Sequence, residues 1–291
     1  MTGNHNATEH VLASILTPDV STARDAALAV LAYLGVTDPP LRPEIVLGGL
    51  NLTQHPLPSF DLDRLTRAQR RTIGSVRGLL SPADARIYLS ADLAPRQEPW
   101  VIYHETGHAA IAWHREVLYL DYAYTLDPNV RTLLEREANE FAGNLMFLGP
   151  RFAVEAADLP FGIGAAITLA TRYDASIEAT LRHYIETSTE HCVCNVFRIA
   201  TLPDGQRTLT FRYFTRPSRQ PTWWRFGRRI GDVLPPDDPL VILLNDGILD
   251  TGVVHDETRF DHETGRAYHE QTFSTGHAVF VVVRALAPHG R

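Results

Sequence analysis

The sequence predicts an α+β protein, with helices gathered in its first two thirds and strands in the last third. Helix-period apolar positions with recognisable start and stop residues recur up to about residue 187. From about residue 190 the pattern changes to alternating or continuous apolar runs of strand length. The chain has 291 residues, 44% of them hydrophobic and 21% charged. That suffices to bury a core without disulfide or metal staples, and at roughly 100–200 residues per domain it suggests two domains.

Residues 1–8 are polar and read as a tail. Residues 21–34 predict a helix capped by Ser21 and ended by Gly35, after which Pro39 and Pro40 interrupt the chain. A short helix and a strand are expected in 43–60, and a helix in 62–73. The apolar runs 76–80 and 85–90 flank Ser81-Pro82-Ala83-Asp84 and predict a hairpin. A long helix follows at about 96–115. A second, 128–148, has Asp127 at its N-cap, Pro128 at its first position and Gly149-Pro150 as a stop. Shorter helices fill 151–187, and the pair 163–172 and 176–186 is loosely of helix-turn-helix shape. Strands are expected at 193–200, 207–214, 248–255, 268–273 and 279–286, with a short helix at 237–245. The change of pattern places a boundary near 188–190.

With 27 basic against 34 acidic residues, the net charge of −7 argues against a protein built to hold nucleic acid. No stretch is long and apolar enough for a membrane span, and the start has no secretory pattern, so no membrane partner is expected. Two cysteines, Cys192 and Cys194, are too few for a disulfide framework and fit a reducing, cytoplasmic setting. They stand two apart on a predicted strand and read as buried, inert thiols.

The informative segment is His104-Glu105-Thr106-Gly107-His108. On a helix, residues four apart lie about 40° from each other around the axis, so both imidazoles address one point where a divalent ion can sit. Glu105, about 100° from His104, borders that point without binding. It can take a proton from a metal-activated water and pass it to a leaving amine. A related string, His262-Glu263-Thr264-Gly265-Arg266, lacks the second histidine and is given no metal role.

Two histidines leave a catalytic site one protein ligand short. His114 is at the spacing used by metzincins, but position 111 is Ile rather than the glycine that lets the chain leave the helix. In a continuous helix His114 points about 240° away from His108. There is also no Met-turn candidate, since the methionines are Met1 and Met146. The better third ligand is Glu135, with Asn139 one turn later on the same face. A carboxylate there can close the site while the amide hydrogen-bonds a ligand imidazole and fixes its ring. Glu137 and Glu140 read as a solvated helix face.

HETGHAAIAWH followed by LEREANEFAGNLMF resembles the ImmA/IrrE metallopeptidases, the M78-type zincins, whose usual pattern is HExGHxxxH and then ExEAxxFAxxLLMP. The resemblance is strongest over 75–150 and weaker over 10–187. The ending here, Leu145-Met146-Phe147-Leu148, lacks the proline, and the Phe-Thr of the usual lead-in is missing from 96–105. Neither departure touches a ligand. The resemblance implies that His104, His108 and Glu135 bind one divalent metal, Zn²⁺ or Mn²⁺, with Glu105 as catalytic base. It also implies a layout like the IrrE branch. Residues 1–150 would be a mostly helical zincin-like metallopeptidase domain with a small β-hairpin or sheet. Residues 151–188 would be a helical, helix-turn-helix-like segment, and 189–291 a GAF-like α+β domain. The implied activity is endoproteolysis of an XRE-type helix-turn-helix repressor, which would derepress stress-response or mobile-element genes. The competing reading is a binding protein that acts on a repressor or DNA through a vestigial metal site; the intact Glu105 argues against it. A broad-specificity peptidase is a third.

Other features read more plainly. The helix pair at 163–187 carries only Arg172 and Arg182 as arginines, and packing suits it better than DNA reading. Trp223-Trp224-Arg225-Phe226-Gly227-Arg228-Arg229 mixes aromatic and basic side chains and reads as an interaction patch. His255, Asp256, His262 and His269 are expected around a polar loop. Tyr119, Tyr122 and Tyr124, between the two motif helices, are candidate oxyanion donors.

Overall fold

The computed structural model describes residues 3–15, 20–58, 76–114, 128–218, 228–261 and 266–286. The chain divides into two compact units, Met1–Phe152 with Thr171–Ser176, and Ala153–Ala170 with Ile177–Arg291. The fold is α+β, with two sheets among the described residues.

The first unit opens with α1 (Gly3–Ile15), α2 (Ala23–Leu34) and α3 (Pro43–Gly49). Residues 3–8 are thus helical rather than a tail. Leu12 is buried and Thr8 Oγ1 donates to Asn51 O at 2.9 Å, so this polar stretch has a tertiary partner. The cap of α2 is Thr22, whose side chain accepts from the Asp25 N–H, instead of Ser21. Gly35, with φ 64°, ends that helix in the left-handed region, as a residue without Cβ does readily. Three strands follow: β1 (Thr53–Pro56), β2 (Gly78–Ser81) and β3 (Arg86–Leu89). They form a sheet of order β1-β3-β2, with β2 antiparallel to β3 through the expected hairpin and β1 parallel to it. Next come α4 (Glu98–Ala110) and α5 (Pro128–Met146). The helix expected over 62–73 and the cap Asp127 lie outside the described residues.

The two motif helices are anchored by apolar positions. On α4, Ile102, Tyr103 and Ala110 are fully buried, and Tyr103 Oη donates to Leu41 O at 2.8 Å. On α5, Ala138, Phe141, Ala142 and Leu145 recur at helical spacing and are all buried. Helix α5 packs against both α4 and α2. Gly107 marks the tightest approach. A Cβ there would stand 3.1–3.2 Å from Phe141 side-chain atoms, so the glycine lets α4 and α5 close.

Helices α6 (Pro150–Ala157) and α7 (Ile163–Arg172) run across the division between the units. The second unit continues with α8 (Ile177–Thr187) and a fully antiparallel five-stranded sheet of order β5-β4-β8-β7-β6. Its strands are β4 (Cys192–Thr201), β5 (Arg207–Thr215), β6 (His255–Asp261), β7 (Arg266–Ser274) and β8 (Ala278–Ala285). Short α9 (Pro239–Asn245) is capped by Asp238, which accepts from the Leu240 N–H. Its Val241 and Leu244 join Val193, Phe197, Leu209, Phe211, Val279, Val281 and Val283 in one apolar core. The strand expected at 248–255 is replaced by a 3₁₀ turn, Ile248–Thr251, with β6 beginning at His255. Gly247 and Gly252 flank that turn at φ 76° and 68°, which breaks the extended run the apolar residues imply. A cavity of about 220 Å³ on this side of the sheet is lined in part by Asn195, Phe197, Arg259, Glu270, Val281 and Val283. Among the described residues no helix is long and apolar enough to cross a membrane.

Candidate metal centre

Helix α4 begins with Glu98 and Pro99 in its first turn, which suits its exposed N–H groups and needs no capping side chain. It ends earlier than its apolar run implies. Ile111 leaves the helical region at φ −74°, ψ 113°, while its N–H still bonds Gly107 O. The expectation of a helix through residue 115, with His114 turned away from His108, is corrected here. The break at Ile111 redirects the chain, and His114 Nδ1 lies 3.1 Å from His108 Nδ1 with the His114 side chain fully buried. His114 belongs to no ligand cluster among the described residues, since its two ring nitrogens face His108 and Glu137.

The side chains of His104, His108 and Glu135 converge. Each offers one ligand atom, and the three atoms lie within 4.8 Å of one another. The two Nε2 atoms are 3.3 Å apart, and Glu135 Oε2 is 3.3 Å from His104 Nε2. Glu135 Oε1 is 3.9 Å from His108 Nε2. Two nitrogens each about 2.0–2.1 Å from a tetrahedral ion stand about 3.3 Å apart, so the imidazole pair already has the spacing of one tetrahedral edge. Two imidazoles and one carboxylate are also a donor set that divalent transition metals accept. The residues present therefore fit the ion. His104 and His108 are largely shielded, whereas the Glu135 side chain is 51% exposed.

The environment of each group follows from this packing. Burial pulls the pKa of His108 down to about 3, assisted by the neighbouring His104 and His114 rings, so at neutral pH it is an uncharged base. For His104 burial acts in the same direction, but the hydrogen bond it donates to Glu135 and the charges of Glu105 and Glu135 outweigh it, and the pKa is raised. Glu135 is held below its usual range, chiefly by the hydrogen bond with His104. Asn139 Oδ1 lies 3.2 Å from His104 Nδ1; an amide oxygen accepts, so the ring donates from Nδ1 and turns its Nε2 toward Glu135 and His108. Glu105 is buried against β2, where the Leu80 N–H bonds its carboxylate. Burial raises its pKa to about 7, with the Glu135 charge adding to the rise and His104 opposing it.

Glu137, like His114, sits elsewhere than the sequence implies. Instead of lying on a solvated face, its Oε2 accepts from Trp113 Nε1 at 2.7 Å and stands 2.9 Å from His114 Nε2. The signal was present in Trp113, His114 and Glu137, but only the break at Ile111 brings them together. Cys192 and Cys194 are buried free thiols. His269 and Asp256 bond across paired strands β6 and β7 rather than around a loop. Tyr119, Tyr122, Tyr124, the string 262–265 and 223–227 of the aromatic and basic patch lie outside the described residues.

No curated relative matches the chain. A solved Mycobacterium tuberculosis transcriptional regulator shares its fold with a TM-score of 0.52 and 14% identity, over 96% of this chain and 94% of that one. Residues 49–183, which include His104, Glu105, His108, Glu135 and Asn139, match the M78 peptidase family model described as an IrrE N-terminal-like domain. The chain therefore carries, over residues 49–183, an IrrE N-terminal-like domain of the M78 peptidase family.

Proposed function

We propose that this protein is a metal-dependent endopeptidase that cleaves a helix-turn-helix transcriptional repressor of the XRE type. The observation that carries the reading is the convergence of His104, His108 and Glu135 beside a buried Glu105. Those three residues would hold one Zn²⁺ or Mn²⁺ ion, with Asn139 fixing the His104 ring. When bound, the ion supplies Lewis acidity toward the scissile carbonyl and makes a water acidic enough to attack. Glu105 handles the proton. A carboxyl whose pKa lies at about 7 accepts a proton from water and returns it to the leaving amine at neutral pH. Its burial against β2 keeps bulk water from competing for that proton.

The remaining assignments are supported more indirectly. In this reading residues 1–150 are the zincin-like metallopeptidase domain, 151–188 a helical helix-turn-helix-like segment and 189–291 a GAF-like C-terminal domain. The antiparallel sheet with α9 on one face and a cavity beneath it supports the last of these. A protein substrate fits the likeness to a transcriptional regulator and the acidic net charge of −7, which disfavours nucleic acid. Buried, unbridged Cys192 and Cys194 support a reducing, cytoplasmic setting.

The test is metal-dependent cleavage of a purified helix-turn-helix repressor from the same genome. Glu105→Gln is expected to retain metal and fold while losing cleavage by at least about 100-fold, the usual contribution of a positioned acid–base group. Cleavage that persists in that variant, or in excess chelator, refutes the mechanism. Binding of the repressor without any new fragments refutes the hydrolase reading.

A further inference from the structure

We propose that His114 and Glu137 are positioning residues that decide which nitrogen of His108 faces the metal position. The proposal rests on the metal-centre reading above and adds two residues outside the ligand set. Its basis is an accounting of hydrogens. A carboxylate only accepts, and Glu137 Oε2 is 2.9 Å from His114 Nε2, so that nitrogen carries a hydrogen. A neutral His114 then has its lone pair on Nδ1. This atom is 3.1 Å from His108 Nδ1, so His108 must be the donor of that bond. The remaining lone pair of His108 is thereby placed on Nε2, the atom 3.3 Å from His104 Nε2 and 3.9 Å from Glu135.

The two ligand rings are thus set by different devices. His104 is fixed by the Asn139 amide oxygen on the neighbouring helix. His108 is fixed through a second imidazole, with a carboxylate at the far end. The relay is shielded, since the His114 side chain is 0% exposed and no solvent can stand in for its Nδ1. It also depends on the helix break, because in an uninterrupted helix His114 would lie about 240° around from His108. Trp113 donates at 2.7 Å to the same Glu137 oxygen, which ties the turn after the break to α5, the helix that bears Glu135. A group that fixes a ligand's tautomer this way is worth about 10–100-fold in metal affinity.

The experiment uses the full chain, stripped with chelator, as wild type and as His114→Phe, His114→Asn, Glu137→Ala and Glu135→Ala. Phenylalanine keeps the ring volume and removes the acceptor, whereas asparagine returns an oxygen near the position of Nδ1. Nitrogen-15 spectra of the metal-free histidine rings near neutral pH are expected to show His108 protonated at Nδ1 in wild type and in His114→Asn. In His114→Phe the Nε2-protonated form should appear. Zn²⁺ titrated against a competing chelator should bind about 10–100-fold more weakly to His114→Phe, with most of the loss recovered in His114→Asn. If His114→Phe does not fold, Glu137→Ala replaces it, since that side chain is 19% exposed, and about 10-fold weakening is expected. Zn²⁺ binding within about twofold of wild type in the folded variants, or a wild-type His108 protonated at Nε2, overturns the positioning role alone. A wild-type chain that does not bind Zn²⁺, or a Glu135→Ala variant that binds it equally well, refutes the metal-centre reading and this proposal with it.

Discussion

On β2, a Cβ added at Gly78 would stand 2.5 Å from Val101 Cγ1 and 2.8 Å from Glu105 Oε1. Non-bonded carbons settle at about 3.5–4.0 Å, so Gly78→Ala demands a displacement of about 1 Å. Neither side yields easily. Strand β2 is paired along its length with β3, and Val101 and Glu105 are both buried on α4. Overpacking of this kind costs about 1–3 kcal/mol, which equilibrium unfolding in urea will report. The chemical consequence is of comparable size. The displaced group is the proposed proton carrier, and a misplacement of about 1 Å costs about 100-fold in rate. The three atoms nearest the added carbon belong to Val101 and Glu105 and none to His104 or His108, so Zn²⁺ affinity should change by less than about threefold. The expected signature is a folded protein that keeps its metal and loses cleavage. A Gly78→Ala protein that cleaves at the wild-type rate would refute the placement of Glu105 against this strand as the source of its reactivity.

Gly107→Ala should act through packing instead. The added carbon meets Phe141 at 3.1–3.2 Å, and Phe141 is fully buried, so α4 and α5 must part slightly. A loss of about 1–3 kcal/mol is expected together with weaker Zn²⁺ binding, because Glu135 moves with α5; a wild-type Zn²⁺ affinity would contradict this. Zn²⁺ at 100 times its Kd should stabilise the protein by about 2.7 kcal/mol, and chelator should reverse the shift in Tm; an unchanged Tm argues against a bound ion. The last prediction concerns the second unit, where burial raises the Cys192 thiol from 9.0 to about 12. Below pH 9 the thiol is protonated whether the chain is folded or unfolded and has no effect on stability. Above pH 9 only the unfolded chain ionises it, so stability falls with rising pH by up to about 1.4 kcal/mol per unit until about pH 12. Cys192→Ala should show a shallower alkaline loss in pH-dependent unfolding, and an identical slope would count against the shift.

Much of the candidate metal centre was legible because its rules are local. Residues 104 and 108 share a helix face by arithmetic, and the same arithmetic joins Glu135 to Asn139. Strand and helix types in the second unit were also legible, because β4 and β8 carry continuous apolar runs and β5 alternates at Leu209, Phe211 and Tyr213. The errors came where tertiary contacts overrule local pattern. Ile111 looks like one more apolar helical residue, yet the chain turns there, and nothing within four positions says so. Glu137 has the composition of a surface position and acquires its partners from another segment. Residues 3–8 are polar, and their helix is supported by Asn51, 43 positions away from Thr8. At 248–255 the apolar residues suggested extension, while two glycines with positive φ imposed a turn.

The uneven shielding of the three ligands bears on how an ion would come and go. The imidazoles of His104 and His108 are only 15% and 10% exposed, while half of the Glu135 side chain meets solvent. Traffic would therefore pass on the carboxylate side, and the rate of exchange would follow the swinging of one side chain rather than the separation of two helices. An ion held in this way would exchange with its surroundings while the scaffold that defines the site stays folded.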